Sequence, residues 1–119
     1  MNVAFQNSYS STVWVCVSWY DPSSCGADAW ATAGWWRVDP GETVWTDVWT
    51  DNRYWYFYAE AEDGAYWAGP YGPLVATWAA FQSCIGVAPN GHANLEVGMR
   101  QVDAGWWYWA YLTYYVNLT

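Results

Sequence analysis

The chain has no lysine and only three arginines, Arg37, Arg53 and Arg100, against eleven acids. A formal net charge of -8 and a pI near 4.1 repel phosphate backbones and anionic lipid headgroups, so nucleic acid is excluded as a partner class. Histidine is nearly absent as well: His92 stands alone beside three cysteines, Cys16, Cys25 and Cys84. These show no metal-ligand spacing and cannot assemble a tetrahedral zinc site without carboxylates. Long apolar runs are missing too. The nearest, Trp106 to Val116, is 11 residues of mixed rings and aliphatics, short of the roughly 18 needed to span a bilayer, so no membrane insertion is expected. The amino-terminal MNVAFQNSYSS lacks the basic start and apolar stretch of a secretory leader, so the chain is expected to be cytosolic or secreted with its leader already removed.

Aromatic residues are what the chain has instead. Thirteen Trp, eleven Tyr and three Phe make up 23% of 119 residues, and 55% of the chain is hydrophobic, which excludes a disordered polymer and indicates one globular domain over 1–119. Trp and Tyr combine a large apolar body with a polar tip and are seldom fully buried. A core of this size cannot hide all of them, so some rings belong to a surface that binds something.

Short runs of Val, Thr, Tyr and Trp between turn residues, with no helical apolar stripe, specify an all-β chain. Strands are expected at Val3–Asn7, Val13–Tyr20, Trp30–Val38, Thr43–Trp49 and Tyr54–Glu62. Val13, Val15, Val17 and Trp19 share one face of the second, and Trp55, Phe57, Ala59 and Ala61 form the core face of the fifth. Asp39-Pro40-Gly41-Glu42 reads as a type II turn returning Thr43–Trp49 beside Trp30–Val38. Asp63-Gly64 reads as a two-residue hairpin loop leading into Tyr66 and Trp67. Pro70 and Pro73 end that strand; further strands are expected within Thr77–Cys84, His92–Val102 and Trp106–Leu118. Eight or nine short strands suit a single-domain antiparallel β-sandwich or a flattened barrel.

The ordered motifs Gly34-Trp35-Trp36-Arg37-Val38-Asp39-Pro40-Gly41-Glu42, Arg53-Tyr54-Trp55-Tyr56-Phe57-Tyr58-Ala59-Glu60, Asp63-Gly64 and Trp67-Ala68-Gly69 resemble the bacterial DUF1036 family. Asn7, Phe81-x-x-Cys84 and Gly98 to Val102 extend the resemblance along nearly the whole chain. It implies a small β domain and brings no functional residue. Trp14, Trp45, Trp49, Trp107 and Trp109 exceed the family pattern, and these surplus rings mark where a specialised surface could lie.

A nucleophile-and-base arrangement has only His92 to draw on, just after the Asn90-Gly91 turn, where a solvated polar residue is the simpler reading, so no enzyme is expected. Glu60, Glu62 and Asp63 could offer hard oxygen ligands to calcium, with Asp21 or Asp28 in support, although no EF-hand spacing is present and a hairpin end bearing solvated acids is favoured. Tyr20, Asp21, Trp30, Trp67, Tyr71 and Trp106 map to strand ends or loops, where rings could lie open. Sugars present apolar C–H faces to such rings while nearby polar groups take the hydroxyls. The leading expectation is therefore a non-catalytic, lectin-like carbohydrate-binding module, with Trp67 the first choice of stacking ring. The rival is a structural or self-associating domain whose surplus rings form a homo-oligomer or partner-protein interface. If the protein is secreted, Cys25 and Cys84, both beside turns, are the pair expected to bridge.

Overall fold

The computed structural model describes residues 1–22, 30–71, 74–76, 81–84, 94–105 and 112–119, with backbone alone for 74–76, 81–84 and 94–96. Eleven strands form in these segments. They are β1 (Asn2–Asn7), β2 (Val13–Tyr20), β3 (Trp30–Val38), β4 (Thr43–Trp49), β5 (Tyr54–Ala61), β6 (Tyr66–Trp67), β7 (Leu74–Ala76), β8 (Phe81–Cys84), β9 (Asn94–Glu96), β10 (Arg100–Asp103) and β11 (Thr113–Leu118). One sheet runs β10-β5-β2-β3-β8 with β6 also beside β5, a second runs β11-β1-β4, and β7 pairs with β9. The two larger sheets pack as an all-β sandwich and do not close into a barrel.

The alternation read from β2 and β5 decides the core. Val13, Val15, Val17 and Trp19 join Trp55, Phe57, Ala59 and Ala61 against Val3, Phe5, Val48 and Leu118 of the smaller sheet. Trp55 and Phe5 meet edge to face at 6.2 Å, the geometry the ring quadrupole favours. The middle of the reverse face of β2 is buried as well: Cys16 and Ser18 are covered while Trp14 and Tyr20 at its ends are half-buried, and Cys16 packs with Val97 and Met99, flanked by Trp35, Tyr56 and Tyr58. The larger sheet is thus covered on both faces. The covering segment crosses close to the backbone, with Gly69 N–H donating to Gly98 O at 3.1 Å. A Cβ at Gly69 or Gly98 would collide with the other segment's backbone, so both positions demand glycine.

Three expectations of pairing are corrected. The Asp39–Glu42 turn forms, with Gly41 at φ +79° and Glu42 N–H donating to Asp39 O at 2.9 Å, but β4 pairs with β1 and not with β3. Gly41 N–H donates to Asn7 O and Asn7 N–H to Glu42 O, so the reversal lays the returning chain along β1 and carries it from one sheet to the other. Turn chemistry fixes a reversal and not its partner. Second, β11 runs parallel to β1, so that one pair departs from an antiparallel arrangement. Third, the hairpin between β5 and β6 has a three-residue loop: Ala61 pairs with Ala65 and Gly64 takes φ +93°, a type I turn closed by a left-handed glycine. The segment expected as one strand over His92–Val102 contains two, β9 and β10, with the close crossing at Gly98 between them.

One side chain ties these connections together. Asn7, 2% exposed, donates to Ser11 O at 2.8 Å and Val38 O at 2.9 Å and accepts from Tyr9 N–H at 2.8 Å. It joins the end of β1, the loop before β2 and the exit of β3. Truncating it leaves buried partners without a mate, so Asn7→Ala is expected to cost about 2 to 4 kcal/mol. Urea denaturation measures this; a loss below about 0.5 kcal/mol, the level of an ordinary surface change, would contradict it.

Candidate functional site

The rings selected from the sequence separate onto two faces of the larger sheet. Tyr20, Trp30 and Tyr71 come together on its outer face around Tyr56, with centroid separations of 5.8 Å for Tyr20–Trp30, 5.4 Å for Trp30–Tyr56 and 4.8 Å for Tyr56–Tyr71. Tyr20 and Trp30 are half-buried and Tyr71 is exposed. Asp21 follows at the end of β2, half-buried and already engaged in an interaction. These rings spend much of their surface on one another.

Trp67 lies elsewhere. It pairs with Ala59, whose side chain faces the inter-sheet core, and it is 7% exposed with the Tyr9 ring edge-on at 5.4 Å. The expectation of an open ring at Trp67 is therefore corrected: proximity to a turn was legible, but strand parity sends this indole inward. Trp106 lies outside the described residues, as do Cys25 and His92, so the expected Cys25–Cys84 bridge is not placed. Cys16 is free and fully buried, and burial pushes its thiol far above the ordinary range.

Of the three acids expected as calcium ligands, Glu62 is exposed, and Glu60 and Asp63 accept local hydrogen bonds. Glu60 accepts from the Tyr58 hydroxyl at 3.0 Å, and Asp63 accepts from the Tyr9 hydroxyl at 2.6 Å and from Ala65 N–H at 3.1 Å. Burial, then the bond to Glu60, pushes Tyr58 up to about 12. Among the described residues no group of three or more His, Cys, Asp or Glu is placed to hold a metal ion.

Apart from Tyr66 of β6, 68% exposed opposite Glu60 on the larger sheet, the most exposed rings stand on the other sheet. On β4, Trp45 is 56% and Trp49 57% exposed, and Tyr115 of β11 is 47% exposed. All three point away from the core because the alternate positions point in: Thr46 and Val48 on β4, and Tyr114, Val116 and Leu118 on β11. Across β1 the register makes rows: Trp45 and Tyr115 both sit opposite Ala4, and Trp49 and Thr113 opposite Asn2. Ala4 is small enough to let Trp45 and Tyr115 meet edge to face at 6.2 Å over it.

Between these rows β4 bulges. Trp45 and Trp49 pair with Ala4 and Asn2, so Thr46, Asp47 and Val48 together oppose Val3. Side chains replace the missing ladder bonds: Asn2 Nδ2 donates to Thr46 O at 2.8 Å and Val48 O at 3.0 Å, and Thr46 Oγ1 donates to Val3 O at 2.7 Å. The bulge brings the two Trp rows to adjacent positions of β1, about 7 Å apart by strand rise, and turns Asp47 out between them. Sequence reasoning marked Trp45 and Trp49 as surplus and stopped there; their shared parity around Asp47 was the signal available.

No family model, curated protein or solved structure matches the chain.

The acids also set the response to pH. Hydrogen bonds from Arg37, Tyr9 and Arg53 hold Asp39, Asp63 and Asp103, respectively, below the usual carboxylate value of 3.8. Carboxyls depressed in the folded state stabilise it above their unfolded value, and that contribution disappears as pH falls through the folded values. Melting temperature is expected to drop as pH is lowered below about 3.8, and less steeply in Asp63→Asn than in the parent. Because these groups are exposed, the effect should shrink in high salt; thermal melts across pH 2 to 6 read both.

Proposed function

We propose that this domain is a non-catalytic carbohydrate-binding module that holds its ligand on the outer face of the β11-β1-β4 sheet. The carrying observation is the pair Trp45 and Trp49, each more than half exposed on one rigid face with Asp47 between them and Tyr115 alongside. Pyranose rings stack their C–H faces on such indoles, and the exposed Asp47 carboxylate between them can accept hydrogen bonds from their hydroxyls. A DUF1036-like origin, supported by the motif chain alone, is compatible with such a module and adds no residue to it.

The competing reading is self-association through the same rings. Asp47 argues against it. A face-to-face dimer would carry Asp47 into a dry contact on a chain of net charge -8, while Arg37 and Arg53 are bound to Asp39 and Asp103, and Arg100 borders Tyr115 and Asn117 at the β11 edge, on the opposite side of the sheet from β4. A glycan leaves the carboxylate at a wet rim, where hydroxyl donors satisfy it.

Truncating one stacked ring should remove about 2 kcal/mol of binding, more than tenfold in affinity, while exposed positions change folding stability by about 0.5 kcal/mol or less. Trp45→Ala and Trp49→Ala are therefore expected to abolish retention of the protein in affinity gels containing neutral polysaccharide, at an unchanged melting temperature and without need of calcium. Intact retention in the double variant would place any sugar site elsewhere. A sedimentation mass that falls to 13.6 kDa on substitution, from a larger parent value, would favour self-association.

A further inference from the structure

Beyond the ring rows the same face continues into a polar row and then into a hollow. Gln6 pairs with Thr43 on one side and Asn117 on the other, directly following the Trp45, Ala4 and Tyr115 row. Gln6 and Asn117 are exposed and Thr43 is half-exposed. Past them lies a hollow of about 350 Å³ lined by Gln6, Ser8, Tyr9, Glu42 and Thr43 with the backbone of Gly41. This is at the low end for small-molecule sites, the size for one ring and not for a large ligand.

The hollow is built from fixed parts. Asn7 holds its floor through both strand connections, as described above, and Gly41 N–H and Glu42 O are bonded to the Asn7 backbone. Ser8 Oγ donates to Asn117 Oδ1 at 2.6 Å, which ties the hollow to the polar row. Glu42 Oε1 accepts from Asp39 N–H at 3.1 Å, so the carboxylate is oriented while still exposed. Tyr9 is anchored at its hydroxyl by Asp63 and at its ring by Trp67.

Resting on the carbohydrate reading, we infer that ring rows, polar row and hollow form one continuous groove for a single extended, uncharged polysaccharide chain running along β1. From the Asn2 row to Ser8 is six residues of strand, about 20 Å, enough for about four pyranose rings end to end. Indoles and Tyr115 take the apolar ring faces at one end. Amides, hydroxyls and Glu42 take hydroxyl groups at the other. The charge of the groove sets the ligand class: Asp47 and Glu42 flank it, its one bordering cation is Arg100 at the β11 edge beside Tyr115 and Asn117, and the whole chain carries -8, so uronic-acid and sulfated chains are disfavoured.

The test is calorimetric titration of the full chain with cello-, xylo-, manno- and chito-oligosaccharides of one to six units, and with oligogalacturonate as the charged comparison. For the neutral series that binds, affinity is expected to climb at least tenfold from two units to about four and then level. Gln6→Ala and Glu42→Gln should leave the two-unit affinity unchanged and remove most of that gain, with melting temperatures as in the parent. Affinity that already levels at two units, or a gain untouched by both variants, overturns the continuous groove while leaving the ring site standing. Tighter binding of oligogalacturonate overturns the uncharged class. Binding of none of the series at millimolar concentration removes the carbohydrate reading and the groove together.

Discussion

Burial of β2 on both faces is the constraint from which the rest of this structure follows. Val13, Val15, Val17 and Trp19 fill the space between the sheets, while Cys16 and Ser18 on the reverse are 0% and 1% exposed. A strand flanked by β3 and β5 and covered above and below has no polar periphery to offer, so the larger sheet needs a second layer. Val97, Met99 and the half-buried Trp35, Tyr56 and Tyr58 supply it, and the glycine crossing at Gly69 and Gly98 lets that layer come close. Much of the aromatic surplus is absorbed here. The cluster of Tyr20, Trp30, Tyr56 and Tyr71 is the rim of the same layer, which is why its rings contact one another.

The smaller sheet carries no such burden. Its inner face completes the core through Val3, Phe5, Val48 and Leu118, and its outer face bears Trp45, Trp49 and Tyr115 among short polar side chains. Rings on a hydrogen-bonded sheet lose little freedom when a ligand arrives, because the backbone beneath them is already fixed. The bulge at Thr46–Val48 sharpens this. Without it, Trp45 and Trp49 would stand four ladder positions apart, about 13 Å, roughly twice the separation of the two rows the bulge produces. Asn2 and Thr46 make the shorter spacing stable by taking over the hydrogen bonds the bulge removes.

How much of this was legible in the sequence depends on the range of the interaction. Period-2 alternation in β2 and β5 gave the core faces correctly, because parity is a property of the segment itself. The Asp39–Glu42 and Glu62–Gly64 reversals were visible for the same reason. Pairing was not: the partner of β4 depends on the Asn7 backbone 34 residues before Gly41, and the parallel β1–β11 pair joins the two ends of the chain. The misplacement of Trp67 has the same origin. Its distance from Asp63-Gly64 suggested an open end, whereas its inward direction is set by register with Ala59. Trp45 and Trp49 were visible as excess, but assigning β4 to the wrong neighbour hid the face they share.

Exposed indoles on a flat sheet with open edges would ordinarily invite edge-to-edge or face-to-face association. The chain's acidity works against that outcome at several positions. Asp47 interrupts the Trp pair, Glu42 stands at one end of the face, and Arg37 and Arg53 are engaged by Asp39 and Asp103. A second copy of the same surface brings the same charges and meets them head on. An uncharged polyol would bring hydroxyl donors in their place, so under the proposed function the carboxylates that disfavour self-contact would be the ones that favour a sugar. On the proposed reading, the scarcity of basic residues that first set this sequence apart bears on the aromatic face directly: with few cations to pair with Asp47 and Glu42, contact between two copies of that face is electrostatically unfavourable, and a neutral ligand meets no such opposition.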